Sequence, residues 1–220
     1  MSIRENIENI EKSIPSNVKL LAVSKTRNIE EMEEAYDTGI RDFAENKVQE
    51  LMRKEESFHK DVRWHLIGKL QTNKVKYIVG KVHLIHSLSS IKLLEKIEEL
   101  YGKENLIANT LIQINIGREE SKSGLLLEDL EELIVKVEGC NHVKVKGIMV
   151  IIPKGDEESN RYYFKETNKI FLELQKRKFK NINMKILSMG MTHDYKIAIE
   201  EGSNMVRIGT GIFGERNYNI

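Results

Sequence analysis

Two segments near the C-terminus have the composition of phosphate-binding loops. The first is Leu187-Ser188-Met189-Gly190-Met191-Thr192-His193-Asp194, and the second is Met205-Val206-Arg207-Ile208-Gly209-Thr210-Gly211-Ile212-Phe213-Gly214. Each is an apolar run that breaks into glycine and hydroxyl residues. Glycine lets a backbone approach an anion closely, and the free amides of a helix start donate to it. Thr192 reads as a helix N-cap with Asp194 in the first turn. Gly190 serves the first loop, and Gly209, Gly211 and Thr210 serve the second. Ordinary capping and turn chemistry would explain either loop alone. The two together point to a phosphorylated ligand, although Asp194 works against it, because a nearby carboxylate repels phosphate.

Two cationic residues complete the chemically informative set. Lys25 follows Leu20-Leu21-Ala22-Val23-Ser24, and strand alternation sets it on the face of Leu21 and Val23. At the mouth of a barrel its amine would be partly desolvated. Desolvation lowers a lysine's pKa and frees the lone pair for Schiff-base formation. The plainer alternative is a solvated lysine just past a strand, one of 35 Lys and Arg residues. Arg207 sits between Val206 and Ile208, where a charge must be paired or hydrogen-bonded. Its alternatives are a structural ion pair and contact with a ligand anion or heteroaromatic ring. His65 and His86 lie within strand runs and read as hydrogen-bonded core histidines. The charged loop 117–124 reads as solvated, at the rim. No HExxH, Walker-type or GxSxG pattern occurs, which leaves zinc proteases, P-loop enzymes and nucleophile-elbow hydrolases without support.

The elements that must position these residues alternate. Short apolar, β-branched runs occupy residues 18–24, 40–44, 63–68, 82–88, 110–116, 143–151, 184–189 and 205–210. Between them lie charged segments of helical spacing: 29–36, ended by Gly39; 91–101, with Gly102 as C-cap; 125–137, stopped by Gly139; and 161–178. Strand then helix, eight times over, predicts parallel pairing. The predicted fold class is α/β, a single (β/α)8 TIM barrel with an extra N-terminal helix and no C-terminal β-domain. An open doubly wound sheet is the rival, but its dinucleotide form needs a glycine-rich turn after the first strand. Ser24-Lys25-Thr26-Arg27 has none. In a barrel, function gathers at the C-terminal strand ends, most often with a phosphate site after strands seven and eight. Those ends are Lys25, Glu45-Asn46, Gly68, His86-Ser87, Asn115, Ser188 to Thr192, and Arg207 to Thr210.

At 220 residues the chain fits one domain or two small ones, and no linker composition marks a boundary. A net charge of +1 provides no broad basic field for nucleic acid. The single cysteine, Cys140, excludes an internal disulfide and a multi-cysteine metal site. The polar start Met1-Ser2-Ile3-Arg4-Glu5-Asn6 is unlike a signal peptide, and no apolar run is long enough to span a bilayer. These features lead to expectations of a cytoplasmic location, no membrane or nucleic-acid partner, and no metal. Without a long apolar surface helix, a monomer is expected.

A lysine at the first strand with phosphate loops at the seventh and eighth resembles fold-type III pyridoxal-phosphate proteins. The resemblance narrows with Leu21-Ala22-Val23-Ser24-Lys25, Phe43-Ala44-Glu45-Asn46, Trp64-His65-Leu66-Ile67-Gly68-Lys69-Leu70-Gln71-Thr72-Asn73-Lys74 and Ile85-His86-Ser87. It continues through Gln113-Ile114-Asn115-Ile116, Glu119-Glu120-Ser121-Lys122-Ser123-Gly124, Leu187-Ser188-Met189-Gly190-Met191 and Val206-Arg207-Ile208-Gly209-Thr210. In order, and over nearly the whole chain, these blocks resemble the pyridoxal-phosphate homeostasis protein family (YggS/PROSC type), a barrel related to the N-terminal domain of alanine racemase. The resemblance implies one pyridoxal 5'-phosphate (PLP)-binding domain over residues 1–220. It implies that Lys25 carries PLP as an internal aldimine. It sets the phosphate among Ser188, Gly190, Thr192, Gly209 and Thr210, Arg207 at the pyridine nitrogen, and Asn46 and Met191 along the pocket. Ala44 departs from the family's usual glycine, and Thr192 replaces a usual serine while keeping the hydroxyl.

The function implied is intracellular PLP homeostasis: binding, buffering and delivery of the cofactor to PLP-dependent apo-enzymes, with no catalytic residue. The alternative is a racemase-like enzyme. An arginine at the pyridine nitrogen leaves it unprotonated and weakens the electron sink that carbanion chemistry uses, although racemases of this fold type share that arginine. Their second proton-transfer group is a tyrosine from a C-terminal β-domain, which is expected to be missing here. Tyr195 and Tyr218 are the nearest tyrosines by sequence, and neither lies on a predicted strand end. Two-base chemistry needs two groups in reach, and only Lys25 can be placed. A sugar-phosphate aldolase using Lys25 would need an acid-base partner, for which Glu45 is the single nearby carboxylate.

Overall fold

The computed structural model describes residues 2–215. Helix α1 (Ile3–Ser13) opens on a capping box. The Ser2 hydroxyl accepts the Glu5 amide at 3.2 Å while the Glu5 carboxylate accepts the Ser2 amide at 2.8 Å, which satisfies two otherwise orphan donors. Eight strands follow: β1 (Lys19–Val23), β2 (Asp42–Glu45), β3 (Arg63–Leu66), β4 (Leu84–Leu88), β5 (Ala108–Ile114), β6 (Val143–Val150), β7 (Ile182–Ser188) and β8 (Met205–Ile208). Each pairs in parallel with its neighbour, and β8 pairs with β1 to close the barrel. The intervening helices are α2 (Ile29–Tyr36), α3 (Val48–Ser57), α4 (Val75–Ile78), α5 (Ile91–Lys103), α6 (Leu130–Glu138), α7 (Glu157–Gln175) and α8 (Tyr195–Glu200), with α9 (Thr210–Phe213) after β8. This is a single (β/α)8 barrel with an N-terminal helix. Asn6 on α1 donates to the Ile212 carbonyl at 2.9 Å, tying that helix to the final turn.

Alternation along the strands sorts side chains into two cores. Outward residues such as Ala22, Phe43, Trp64 and Ile85 meet the helices. Phe43, Phe58 and Trp64 form an aromatic cluster with centroids 5.7–6.4 Å apart. Inward residues Leu21, Val23, Ala44, Leu84, Leu111, Met149 and Met205 fill the barrel. Ala44, the departure from the family pattern, packs among these and leaves no polar mark.

The spacing locates every strand, with small shifts at the ends. β2 starts at Asp42, β5 ends at Ile114 and β8 ends at Ile208, where Gly209 already begins a helical turn. α5 runs through Gly102 to Lys103, so Gly102 is no cap; it lies against the His142 ring. α6 begins at Leu130, because Leu125 is drawn into a bridge with Ile114. α7 starts at Glu157, where Asp156 caps the Ser159 amide at 2.9 Å. α3 is not among the segments that spacing marks; its Val48, Leu51 and Lys54 share the buried face.

The N-terminal end of the barrel is held by Asp42. Its carboxylate accepts from Arg63 Nε at 2.9 Å, His65 Nε2 at 3.0 Å and Lys19 Nζ at 3.4 Å. Burial alone would raise this carboxyl, but hydrogen bonds from Arg63 and His65, with the Lys19 charge, hold it well below the usual range. A depressed folded-state pKa stabilises fully above the unfolded value, about 3.9, and that contribution is lost as pH falls through the folded value. Urea denaturation across pH checks this: Asp42→Asn is expected to lower stability at neutral pH and to flatten the acid limb below about pH 4.

Candidate functional site

A cavity of about 370 Å³ opens at the C-terminal end of the barrel. Seven of the nine residues singled out in the sequence line it: Lys25, Asn46, Met191, Thr192, Arg207, Gly209 and Thr210. Four lining side chains are cationic, Lys25, Lys69, Lys122 and Arg207, and none is a carboxylate. Such a concave, one-signed lining favours an anionic ligand.

Lys25 follows β1, half-buried, and its backbone is clamped from below. The Ser24 hydroxyl donates to Glu45 Oε1 at 2.7 Å. Lys54 Nζ gives its three protons to Ser24 O, Glu45 Oε1 and Glu50 Oε1, each at 2.8 Å. Glu50 Oε1 also accepts the Thr26 amide at 2.6 Å. Thr26 has φ +66°, an uncommon conformation for a β-branched residue. The network therefore holds a strained turn immediately after the cavity lysine. Burial pushes the Glu45 carboxyl up, and the Lys54 charge draws it back. Glu45 is fully buried in this network, outside the cavity lining, and so cannot serve as an acid-base partner there.

The two glycine loops are joined. The Thr192 hydroxyl accepts the Gly211 amide at 3.1 Å. Thr192 is not a helix cap: α8 begins three residues later, with Asp194 at the N-cap position. Asp194 Oδ1 accepts the Met191 amide at 2.5 Å, which turns its carboxylate onto the loop backbone. Gly190 has φ +94°, and a Cβ there would lie 2.7 Å from the Ala198 Cβ. Its absence lets the first loop settle on α8. Gly190 and Ser188 are the two predicted residues that do not line the cavity.

Ser188 instead supports Arg207. Arg207 Nη1 donates to the Ser188 carbonyl at 2.7 Å and hydroxyl at 2.8 Å, and Nη2 donates to the Val150 carbonyl at 2.7 Å. These acceptors are neutral, and among the described residues Arg207 makes no salt bridge, so the structural ion pair is set aside. Burial pushes its guanidinium down to about 10, against the opposing Asp194 charge, so it stays protonated at neutral pH.

Several residues reach the cavity without having been singled out. Gln113 is the clearest. Because β5 ends at Ile114, Gln113 rather than Asn115 faces the mouth. Its Nε2 donates to the Ser123 carbonyl at 2.9 Å while the buried Oε1 has no partner. A glutamine amid an apolar strand was the available signal. The charged loop at 117–124 is not simply solvated: Lys122 and Ser123 line the cavity, and Lys122 Nζ donates to the Ile152 carbonyl at 2.8 Å. Asn115 braces that loop through the Glu119 backbone. Gly68 backs Asn46, since a Cβ there would stand 2.2 Å from the Asn46 carbonyl. His65 and His86 lie deep in the barrel. The Tyr195 hydroxyl bonds Ser13, away from the cavity, and Tyr218 lies outside the described residues.

Residues 1–217 match the alanine racemase N-terminal domain family. The pyridoxal phosphate homeostasis protein of Haemophilus influenzae is 37% identical over 233 residues, covering 100% of this chain and 98% of that one. That of Aquifex aeolicus is 46% identical over 159 residues, covering 72% and 69%. The chain belongs to the pyridoxal phosphate homeostasis protein family. PipY of Synechococcus elongatus with PLP bound matches at TM-score 0.89 and 31% identity, covering 97% of this chain and 100% of that one. Without PLP it matches at TM-score 0.92. Alanine racemase of Clostridium difficile, 15% identical with TM-score 0.76, covers 99% of this chain but 57% of its own, and shares the fold alone.

In this family member the clamp beneath Lys25 is open to a direct check. Lys54→Ala leaves Glu45 buried without its cation, which is expected to cost about 3–5 kcal/mol in chemical denaturation. Adding Glu45→Gln should recover part of that loss, because the uncompensated charge is gone.

Proposed function

We propose that this chain is a single-domain PLP-binding protein, residues 1–220, that holds the cofactor and delivers it to PLP-dependent apo-enzymes without turning over a substrate. The supporting observation is a cavity that offers an amine, a guanidinium and two hydroxyl-bearing glycine loops, with no carboxylate in its lining. The unpartnered Gln113 Oε1 adds a buried acceptor suited to a polar ligand. The donor set therefore fits a phosphorylated aldehyde. PLP bound to PipY, and the names of the relatives, support the same ligand.

In this reading Lys25 supplies the amine. Thr192, Gly209 and Thr210 hold the phosphate, Arg207 faces the ring nitrogen, and Asn46 and Met191 flank the ring. Ser188 and Gly190 act one layer back, Ser188 by fixing Arg207 and Gly190 by shaping the loop. Bound PLP supplies an aldehyde carbon that a lysine amine attacks with loss of water. A guanidinium at the ring nitrogen keeps that nitrogen unprotonated and limits carbanion stabilisation, which favours storage over racemization. No helix among the described residues is long and apolar enough to cross a membrane. A cytoplasmic monomer is the proposed working form.

Mixing protein with PLP should produce a yellow absorbance band, and borohydride followed by peptide mass spectrometry should locate the adduct on Lys25. Retention of the full band by Lys25→Ala, or an adduct on Lys69 or Lys122 in its place, would overturn the lysine assignment. Thr192→Ala and Thr210→Ala should each weaken PLP roughly tenfold while barely changing affinity for unphosphorylated pyridoxal. Incubation of the loaded protein with amino acids in deuterium oxide should leave the α-proton in place; sustained exchange would make it an enzyme.

A further inference from the structure

A chain of buried side chains runs through the barrel from Asp42 to the cavity. His65 Nε2 meets Asp42 Oδ1 at 3.0 Å, His65 Nδ1 meets His86 Nε2 at 3.0 Å, and His86 Nδ1 meets Ser188 Oγ at 3.3 Å. Ser188 Oγ then accepts from Arg207 Nη1 at 2.8 Å. The five residues come from β2, β3, β4, β7 and β8, and all are buried. A ligand-contacting role for Arg207 does not by itself require anything beyond Ser188.

We propose that Asp42, His65 and His86 are positioning residues for Arg207: through Ser188 they form a one-way hydrogen-bond chain that fixes the guanidinium facing the cavity. The direction follows from donor and acceptor counting. Ionised Asp42 only accepts, so His65 carries its proton on Nε2. Neutral His65 then accepts at Nδ1, so His86 also carries its proton on Nε2. Neutral His86 accepts at Nδ1, so the Ser188 hydroxyl donates to it and turns a lone pair toward Arg207. Every donor in the chain has one acceptor, and no alternative tautomer satisfies both ends.

The surroundings keep both rings neutral. His83 stands 5.5 Å from His65 between ring centroids, with the Lys19 charge also acting on His65, while His65, Arg207 and His83 act electrostatically on His86. Burial comes first among the causes that hold His65 below its ordinary pKa and His86 well below it. Asp42 is the opposing influence on His65, accepting its proton without taking it. Lys19 and Arg63, both bonded to Asp42, keep that carboxylate ionised. The chain thus has a fixed carboxylate at one end and a fixed guanidinium at the other.

The role assigned to Arg207 rests on the ligand reading, whereas the tautomers do not. Nitrogen-15 NMR of the full chain without ligand should show Nε2-protonated neutral rings for His65 and His86, unchanged from about pH 6 to 8. An Nδ1-protonated or charged ring at either position overturns the chain. In PLP titrations, His86→Gln keeps one donor and one acceptor and should bind within about threefold of the parent, while His86→Leu should lose about tenfold. Equal losses, or none in either, overturn the proposal. In a Ser188→Ala background, His86→Leu should add nothing further; additive losses would show that His86 does not act through Ser188. If the parent protein binds no PLP, the ligand reading fails while the tautomer result stands.

Discussion

Closure of β8 onto β1 is the constraint on which the site depends. Four register pairs join these strands, among them Leu21 with Arg207. Parallel closure brings the first and last segments of the chain side by side and points their ends to the same mouth. Lys25 just beyond β1, Arg207 within β8 and Gly209 just beyond it become lining residues of one cavity for that reason. α1 reinforces the junction through its bond to Ile212. An open sheet carrying the same motifs would leave the lysine and the two glycine loops on different edges.

Closure also creates an interior in which polar groups must be answered. Water does not serve there as it does at the surface, so an unpaired polar atom is costly. The chain meets this with two separate sets: the Ser24, Glu45, Lys54 and Glu50 clamp outside the barrel wall, and the line from Asp42 to Arg207 within it. The few buried atoms left over include Gln113 Oε1 at the cavity wall. Of the residues that carry these unpartnered atoms, Gln113 alone lines the cavity, where a ligand can reach it.

Much of this was legible from residue order. Strand positions followed from β-branched runs, Lys25 from alternation with Leu21 and Val23, and the two cavity-lining loops from glycine and hydroxyl content. The shortfalls have local causes. Strand ends depend on hydrogen bonds that periodicity does not report, so a shift of two residues at β5 exchanged Asn115 for Gln113. Thr192 resembled a cap because a hydroxyl preceding a helix commonly is one, yet a loop from the other side of β8 claimed it. The resemblance set Ser188 at the phosphate, but it lies outside the cavity lining, and the strand pleat turns it inward to Arg207.

What the sequence alone determined, then, was the parallel barrel, the lysine at its first strand and the glycine and hydroxyl content of its last two loops. Those properties are carried by periodicity and residue type within short segments. Tertiary structure decided which groups share the cavity and which hold it from beneath. Lys69, Lys122 and Gln113 joined the lining, while Ser188, Glu45, His65 and His86 became its supports. The physical reason is that hydrogen-bond partnership between residues as far apart as His86 and Ser188, on β4 and β7, exists only once the sheet has closed.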